Sequence, residues 1–205
     1  MSRAVLRATA LLVPLALAAL TGCGGAPAAD PAPVVPAPHI APASAAPADA
    51  PTATAMPASA PVRVRIPSAG VDTSPVLELG LAADGTVEVP SVADADRIGW
   101  YTKGVTPGQT GPAVLIGHFD TARGPAVLKD VSRVRTGDEI TVSRADGTTA
   151  AFRVRELEQV DKNHFPTAKV YGDTTRPELR VITCGGELTD GHRPDNIILY
   201  ADLVG

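Results

Sequence analysis

A run of about 37 residues made almost wholly of Ala and Pro, ending at Ala60, sets the first limit on how this chain folds. Such a segment buries too little apolar surface to offset the entropy of ordering it, and its proline density favours extended polyproline II. Residues 23–60 therefore read as a linker. As a semi-rigid spacer they reach on the order of 100 Å at ~3.1 Å per residue, and the same composition equally suits a linker with no required length. Folding is left to residues 61–205, enough chain for one domain with a proper core.

Within that domain the strand signals are frequent and no internal repeat is visible. Val62–Ile66 alternates with period two, and Thr86–Val89 repeats the pattern. Ala113–Ile116 is a continuous apolar run suited to a strand buried on both faces. Glu139–Ser143 and Ala151–Arg155 flank Asp146-Gly147, a hairpin-turn signal. Glu178–Thr183 and Asn196–Ala201 complete the set, and Ala126–Val134 reads as a short helix. Many short strands separated by turn residues predict an all-β fold, a closed or nearly closed barrel.

The N-terminus carries a different signal. Arg3 and Arg7 precede an apolar run from Ala8 to Leu20, at roughly 13 residues too short to span a bilayer comfortably. Residues 1–22 thus read as an export signal. Leu20-Thr21-Gly22-Cys23 resembles the lipobox of bacterial lipoproteins, which implies that Cys23 is acylated and becomes the new N-terminus, with the membrane as a partner through that lipid. The net charge is −4; Arg3 and Arg7 offset Asp30 and Asp49, so all of it falls on residues 61–205. A nucleic-acid partner is excluded on that ground, because phosphate binding needs a basic surface.

Cys184 is then the one thiol left without a partner, a hazard in an oxidising compartment unless it is buried or used. Most unpaired cysteines are small buried hydrophobes. Here the residue stands where a strand runs into Gly185-Gly186, half exposed and rigidly aimed, which suits a nucleophile. Four histidines are available to it. His39 lies in the linker, His164 in a surface loop, and His192 in a polar loop eight positions on. His118 follows the apolar strand through Gly117, so it too stands at a strand end beside a glycine. Two strand-end residues of complementary chemistry are what thiol catalysis requires.

Gly117-His118-Phe119-Asp120, Thr136–Ile140, Lys162 with Phe165-Pro166, Val170-Tyr171-Gly172, Leu179–Gly186 and Asp195-Asn196, in that order, resemble a sortase, most closely the class F sortases of actinobacteria. The resemblance implies an eight-stranded sortase β-barrel with one or two short helices, over residues 61–205. It also implies a transpeptidase that cleaves an LPxTG-like C-terminal sorting signal and passes the acyl group to a cell-wall amine. Cys184 matches the nucleophile and His118 the acid and base, with Cys184 ionised and His118 protonated in the competent form. Arg193, the only arginine after Cys184, matches the family arginine, whose planar fork holds substrate carbonyls and the oxyanion. Arg180 is the alternative, four residues before Cys184 and on the same side by period two. Thr183 and Asp120 are the supporting residues within the matched motifs. Arg180 and Val181 replace the Thr and Leu of the commonest signature, which bears on substrate preference. The implied partners are exported proteins bearing a sorting signal and a peptidoglycan-derived or other amine. The implied place is the outer face of the cytoplasmic membrane of a Gram-positive actinobacterium.

Two other readings bear on the same residues. An L,D-transpeptidase also uses Cys and His on peptidoglycan, but its Ser-His-Gly-Cys signature is missing. A lipid-anchored binding module on an inactive barrel of the same fold is open to any such sequence, although loss of activity usually removes the Cys or His. No zinc spacing, phosphate loop or dinucleotide fingerprint is present, and no clustered acidic loop suggests calcium, so neither cofactor nor metal is expected.

Overall fold

Strand-forming residues dominate from Pro61 onward, and the computed structural model, which describes Ile40 and residues 53–204, resolves them into short pieces. The export signal, Cys23, His39 and most of the Ala/Pro run lie outside the described residues. In chain order the elements are β1 (Pro61–Ile66), β2 (Val71–Thr73), β3 (Leu77–Leu79), β4 (Ile98–Tyr101), β5 (Gly111–Gly117), β6 (Asp120–Thr121), β7 (Gly124–Pro125), β8 (Glu139–Arg144), β9 (Thr149–Asp161), α1 (Thr167–Tyr171), β10 (Pro177–Gly185) and β11 (Asp195–Val204).

Nine strands form one sheet in the order β2-β1-β8-β9-β11-β10-β5-β4-β3, while β6 and β7 pair as a separate ribbon. Val64 and Ile66 of β1 share one buried cluster with Leu115 of β5 and Leu179 of β10. Strands far apart in the sheet order meet in a common core only if the sheet curls around it. The strand-dominated, curled fold is thus as expected, with nine strands in the sheet in place of eight. A second cluster lies on the opposite face, where Val170 of α1 covers Val114, Ile116, Ile182 and Ile198. β5, β10 and β11 are therefore buried on both faces over most of their length, which is why Ala113–Ile116 of β5 reads as a continuous apolar run. The Asp146-Gly147 hairpin is also found, joining β8 to β9 with Gly147 at φ 83°.

Two expected elements do not form. Thr86–Val89 alternates, yet it makes only an isolated bridge between Val87 and Leu81. Its polar groups are spent locally: Glu88 turns back to accept from the Gly80 amide at 2.7 Å, and Asp84 accepts from Thr86. Ala126–Val134 is not an α-helix and contains only a 3₁₀ turn at Val131–Arg133. Its first amides are committed elsewhere, Ala126 N–H to Phe119 O at 3.0 Å, Val127 N–H to Ala95 O at 3.0 Å and Leu128 N–H to His118 O at 2.9 Å. The later amides, of Lys129, Val131, Arg133 and Val134, close successive turns to the carbonyl three residues back instead of the i−4 ladder of an α-helix. The α-helix lies instead at Thr167–Tyr171, on the outer face.

Ile40, Ala53 and Met56 pack against the core, and hydrogen bonds fasten the chain at Met56 and Pro57. Met56 N–H donates to Gly108 O at 2.8 Å, and the Arg144 guanidinium donates to the Pro57 carbonyl.

Candidate active site

β5 and β10 are parallel neighbours in a register that ends at Ile182 opposite Ile116. Continuing that register by two residues sets Cys184 level with His118 on adjacent strand ends. Both side chains line one groove of about 1200 Å³, together with Thr183, Ile182, Val114 and Ile116. Parallel pairing is what unites two residues 66 positions apart in sequence. β11 holds the other flank, pairing Asn196 with Cys184.

Glycines permit the close approach. A Cβ on Gly117 would lie 2.9 Å from Val127 Cγ1 and 3.0 Å from Leu128 Cδ1, so the segment that bonds the His118 carbonyl packs against a bare backbone. Gly186 sits at φ 81°, a left-handed position that turns the chain away just after Cys184.

His118 Nε2 lies 2.6 Å from the Pro90 carbonyl oxygen. A carbonyl only accepts, so Nε2 carries the proton and Nδ1 is the ring nitrogen left for proton exchange. Pro90 belongs to the loop after β3, whose Val87 and Val89 form part of the groove wall. Part of the groove wall is aromatic: Tyr101 meets Tyr171 edge-on at 6.2 Å, and Phe165 lies 6.0 Å from Tyr171. Burial, then the neighbouring Tyr101, pushes the Tyr171 phenol above its ordinary range, so it stays a neutral wall of the groove.

The two arginines have distinct surroundings. Arg193 is buried; its Nε and Nη2 donate to the Asp120 carboxylate at 3.0 and 2.7 Å, its Nη1 donates to Gly186 O at 2.6 Å, and its guanidinium lies 4.6 Å from the Phe119 ring. It thereby clips the segment two residues beyond His118 to the turn two residues beyond Cys184. Arg180 is also buried, paired with Glu178 at 2.7 Å and stacked 4.8 Å over Tyr200. Its neighbour Tyr200 belongs to the outer cluster, whereas Cys184 packs against the inner one, and the Arg180 charge is spent on Glu178. The Thr183 hydroxyl oxygen is buried with no protein partner. His164 and His192 are exposed, the latter in a turn where its amide and the Thr189 carbonyl bond at 2.9 Å.

Two neighbours escaped the sequence reading. Lys162 Nζ stands 3.7 Å from Cys184 Sγ, and the Pro90 carbonyl holds His118. Lys162 is visible as part of a motif, but its link to Cys184 runs through the β9–β11 pairing, which no spacing rule encodes. A backbone carbonyl leaves no side-chain signal at all. Among the described residues no group of three or more His, Cys, Asp or Glu side chains converges as a metal site, and no helix is long and apolar enough to cross a membrane.

Comparison with known proteins adds an independent line. The family model of the sortase domain matches residues 64–204. No curated protein sequence matches. Among solved structures, sortase C-1 from Actinomyces oris is 21% identical with a TM-score of 0.54, covering 71% of this chain and 75% of that one. The lid-mutant of Streptococcus agalactiae sortase C1 is 15% identical with a TM-score of 0.53, covering 70% and 67%. Sortase A from Corynebacterium diphtheriae is 17% identical with a TM-score of 0.53, covering 73% and 62%. At such identities the structural likeness speaks to the fold alone.

Proposed function

Because the chain belongs to the sortase family, we propose that it is a class F type cysteine transpeptidase that cleaves an LPxTG-like sorting signal and transfers the upstream protein to a cell-wall amine. The observation that carries this reading is the placing of Cys184 and His118 on adjacent parallel strand ends above one groove. In the proposed reaction the Cys184 thiolate attacks the carbonyl of the signal's Thr, and the π electrons move to oxygen. Collapse of that adduct breaks the peptide bond as His118 gives its proton to the departing amine, leaving a thioacyl-enzyme. An incoming amine then attacks the thioester, His118 takes its proton, and the thiolate leaves.

Arg193 takes the family arginine's place in this reading, with Asp120 and Thr183 as the supporting residues. Arg193→Ala is expected to lower turnover by roughly a hundredfold, the scale for losing a group that stabilises the oxyanion. Arg193→Lys recovers little, since a point charge cannot span Asp120 and Gly186 as the fork does. Arg180→Ala is the control, losing folded protein but keeping turnover per folded molecule. Near-normal turnover in Arg193→Ala, with collapse per folded molecule in Arg180→Ala, would move the role to Arg180.

Acylation at Cys23 and an export signal over residues 1–22, suggested by Leu20–Cys23, would hold the enzyme at the outer membrane face of an actinobacterium. Mass spectrometry of the mature N-terminus tests this, and an intact, unmodified apolar run would overturn it. The function itself is tested by incubating the purified protein with an LPxTG peptide and an amine such as triglycine. Cleavage with amine-dependent ligation is expected, and binding with no cleavage of any sorting peptide would favour an inactive module.

A further inference from the structure

The Cys184 sulfur meets a lysine. Lys162 Nζ lies 3.7 Å from Sγ, and among the described residues no carboxylate stands within ion-pair distance of that ammonium. The backbone beneath it is well fixed: Lys162 N–H donates to Pro194 O at 3.0 Å, Asp161 pairs with Asp195, and the Asp161 carboxylate accepts from Asn163 N–H at 2.7 Å. The same end of β11 pairs with Cys184 through Asn196. Lysine and thiol are thus mounted on opposite sides of one strand end, and only the exposed side chain of Lys162 is free to swing.

We propose that Lys162 is a catalytic residue of the thiol chemistry, supplying the positive charge that faces first the attacking sulfur and then the oxyanion. The proposal rests on the transpeptidase reading above and deepens it. The oxyanion of the tetrahedral adduct is only two bonds from sulfur, so an ammonium already beside the sulfur reaches it with a small rotation of a flexible stem. Arg193 is less mobile, because its fork is held by Asp120 and the Gly186 carbonyl. The division of labour follows: the fixed fork of Arg193 braces the turn behind the nucleophile and serves the oxyanion from that side, and Lys162 supplies the mobile charge in front of it. Lys162 gives up no proton. The carbon–sulfur bond forms as the carbonyl π pair moves to oxygen, and that pair returns as the carbon–nitrogen bond breaks and His118 protonates the amine.

The test compares Lys162→Met and Lys162→Arg with the wild-type chain through two readouts. The first is peptide cleavage: Lys162→Met is expected to lower kcat by about tenfold or more with little change in KM, and Lys162→Arg to keep most of the rate. The second needs no substrate. Iodoacetate is anionic and iodoacetamide neutral, so the ratio of their alkylation rates at the Cys184 peptide reads the local charge. That ratio should fall about fivefold in Lys162→Met, the effect of one charge ~4 Å away through water, and hold in Lys162→Arg. Unchanged ratio and kcat in Lys162→Met would overturn the proposal. Equal damage in the Met and Arg variants would also overturn it, since shape and not charge would then matter. A ratio that falls while the wild-type protein cleaves no sorting peptide would overturn the role in this reaction together with the transpeptidase reading, and would leave only a cation beside a thiol.

Discussion

Cys184→Ala protein is expected to fold normally and to cleave a sorting peptide roughly 10⁴-fold more slowly or worse, the scale on which loss of a covalent nucleophile acts. Cys184 is only partly buried and ends its strand beside Gly185, so the loss of one sulfur leaves a small defect at a solvated edge. Its backbone pairing with Asn196 is untouched. Unfolding midpoint and cleavage rate together check the expectation. A variant that still turned over peptide at a tenth of the wild-type rate would exclude the thiol as nucleophile.

Glu178→Ala has the second largest expected effect, on stability and not on chemistry. Glu178 sits at the start of β10 among three guanidiniums, bonded by Arg155 at 2.7 Å, by Arg176 at 3.0 Å and by Arg180 at 2.7 Å, while Arg155 and Arg176 also reach Asp202. Its removal strands Arg180, which is 1% exposed, without its counter-charge. Breaking one partner of a buried pair costs about 3–5 kcal/mol, so urea unfolding should show a loss of that order. Glu178→Gln should lose less, because the amide oxygen still accepts from an arginine. Burial pushes the Glu178 carboxyl up, but the bonds from Arg155 and Arg180 outweigh it and hold the group below its ordinary value of 4.5. A lowered carboxylate stabilises the fold fully above that ordinary value and loses its contribution as pH falls through the folded-state value. The wild-type protein should therefore weaken with acid below about pH 4.5, and Glu178→Ala should show a shallower acid limb. A variant with wild-type stability at pH 7 would contradict this account of the cluster.

Much of the fold is legible in the sequence where burial is simplest. Ala113–Ile116 is apolar without interruption because α1 covers one face of its sheet and the curled core fills the other. The β8–β9 hairpin is legible because Asp146-Gly147 demands a left-handed turn residue. Thr86–Val89 misleads for the opposite reason, since alternation promises a strand only where a sheet edge is there to pair. Ala126–Val134 misleads because the docking of its first three residues on Phe119, Ala95 and His118 sets the path of the chain, and the rest closes only i−3 turns, so tertiary context outweighs helix propensity. The same principle governs the site. Cys184 and His118 are visible as strand ends beside glycines, but their shared level depends on the β5–β10 register. Lys162 and Pro90 reach them by pairing and loop closure alone. Asp120 is legible only as a motif residue, and its bond to Arg193 across 73 positions appears in three dimensions.

The central claim, covalent catalysis by Cys184, is tested most directly by intact mass. The protein is incubated with excess LPxTG peptide and no added amine, quenched in acid, weighed and digested. The account predicts an adduct equal in mass to the acyl fragment upstream of the scissile bond, mapped to the Cys184 peptide, released by hydroxylamine and absent from Cys184→Ala. Peptide cleavage with no adduct at any time, or an adduct on another residue, would contradict it.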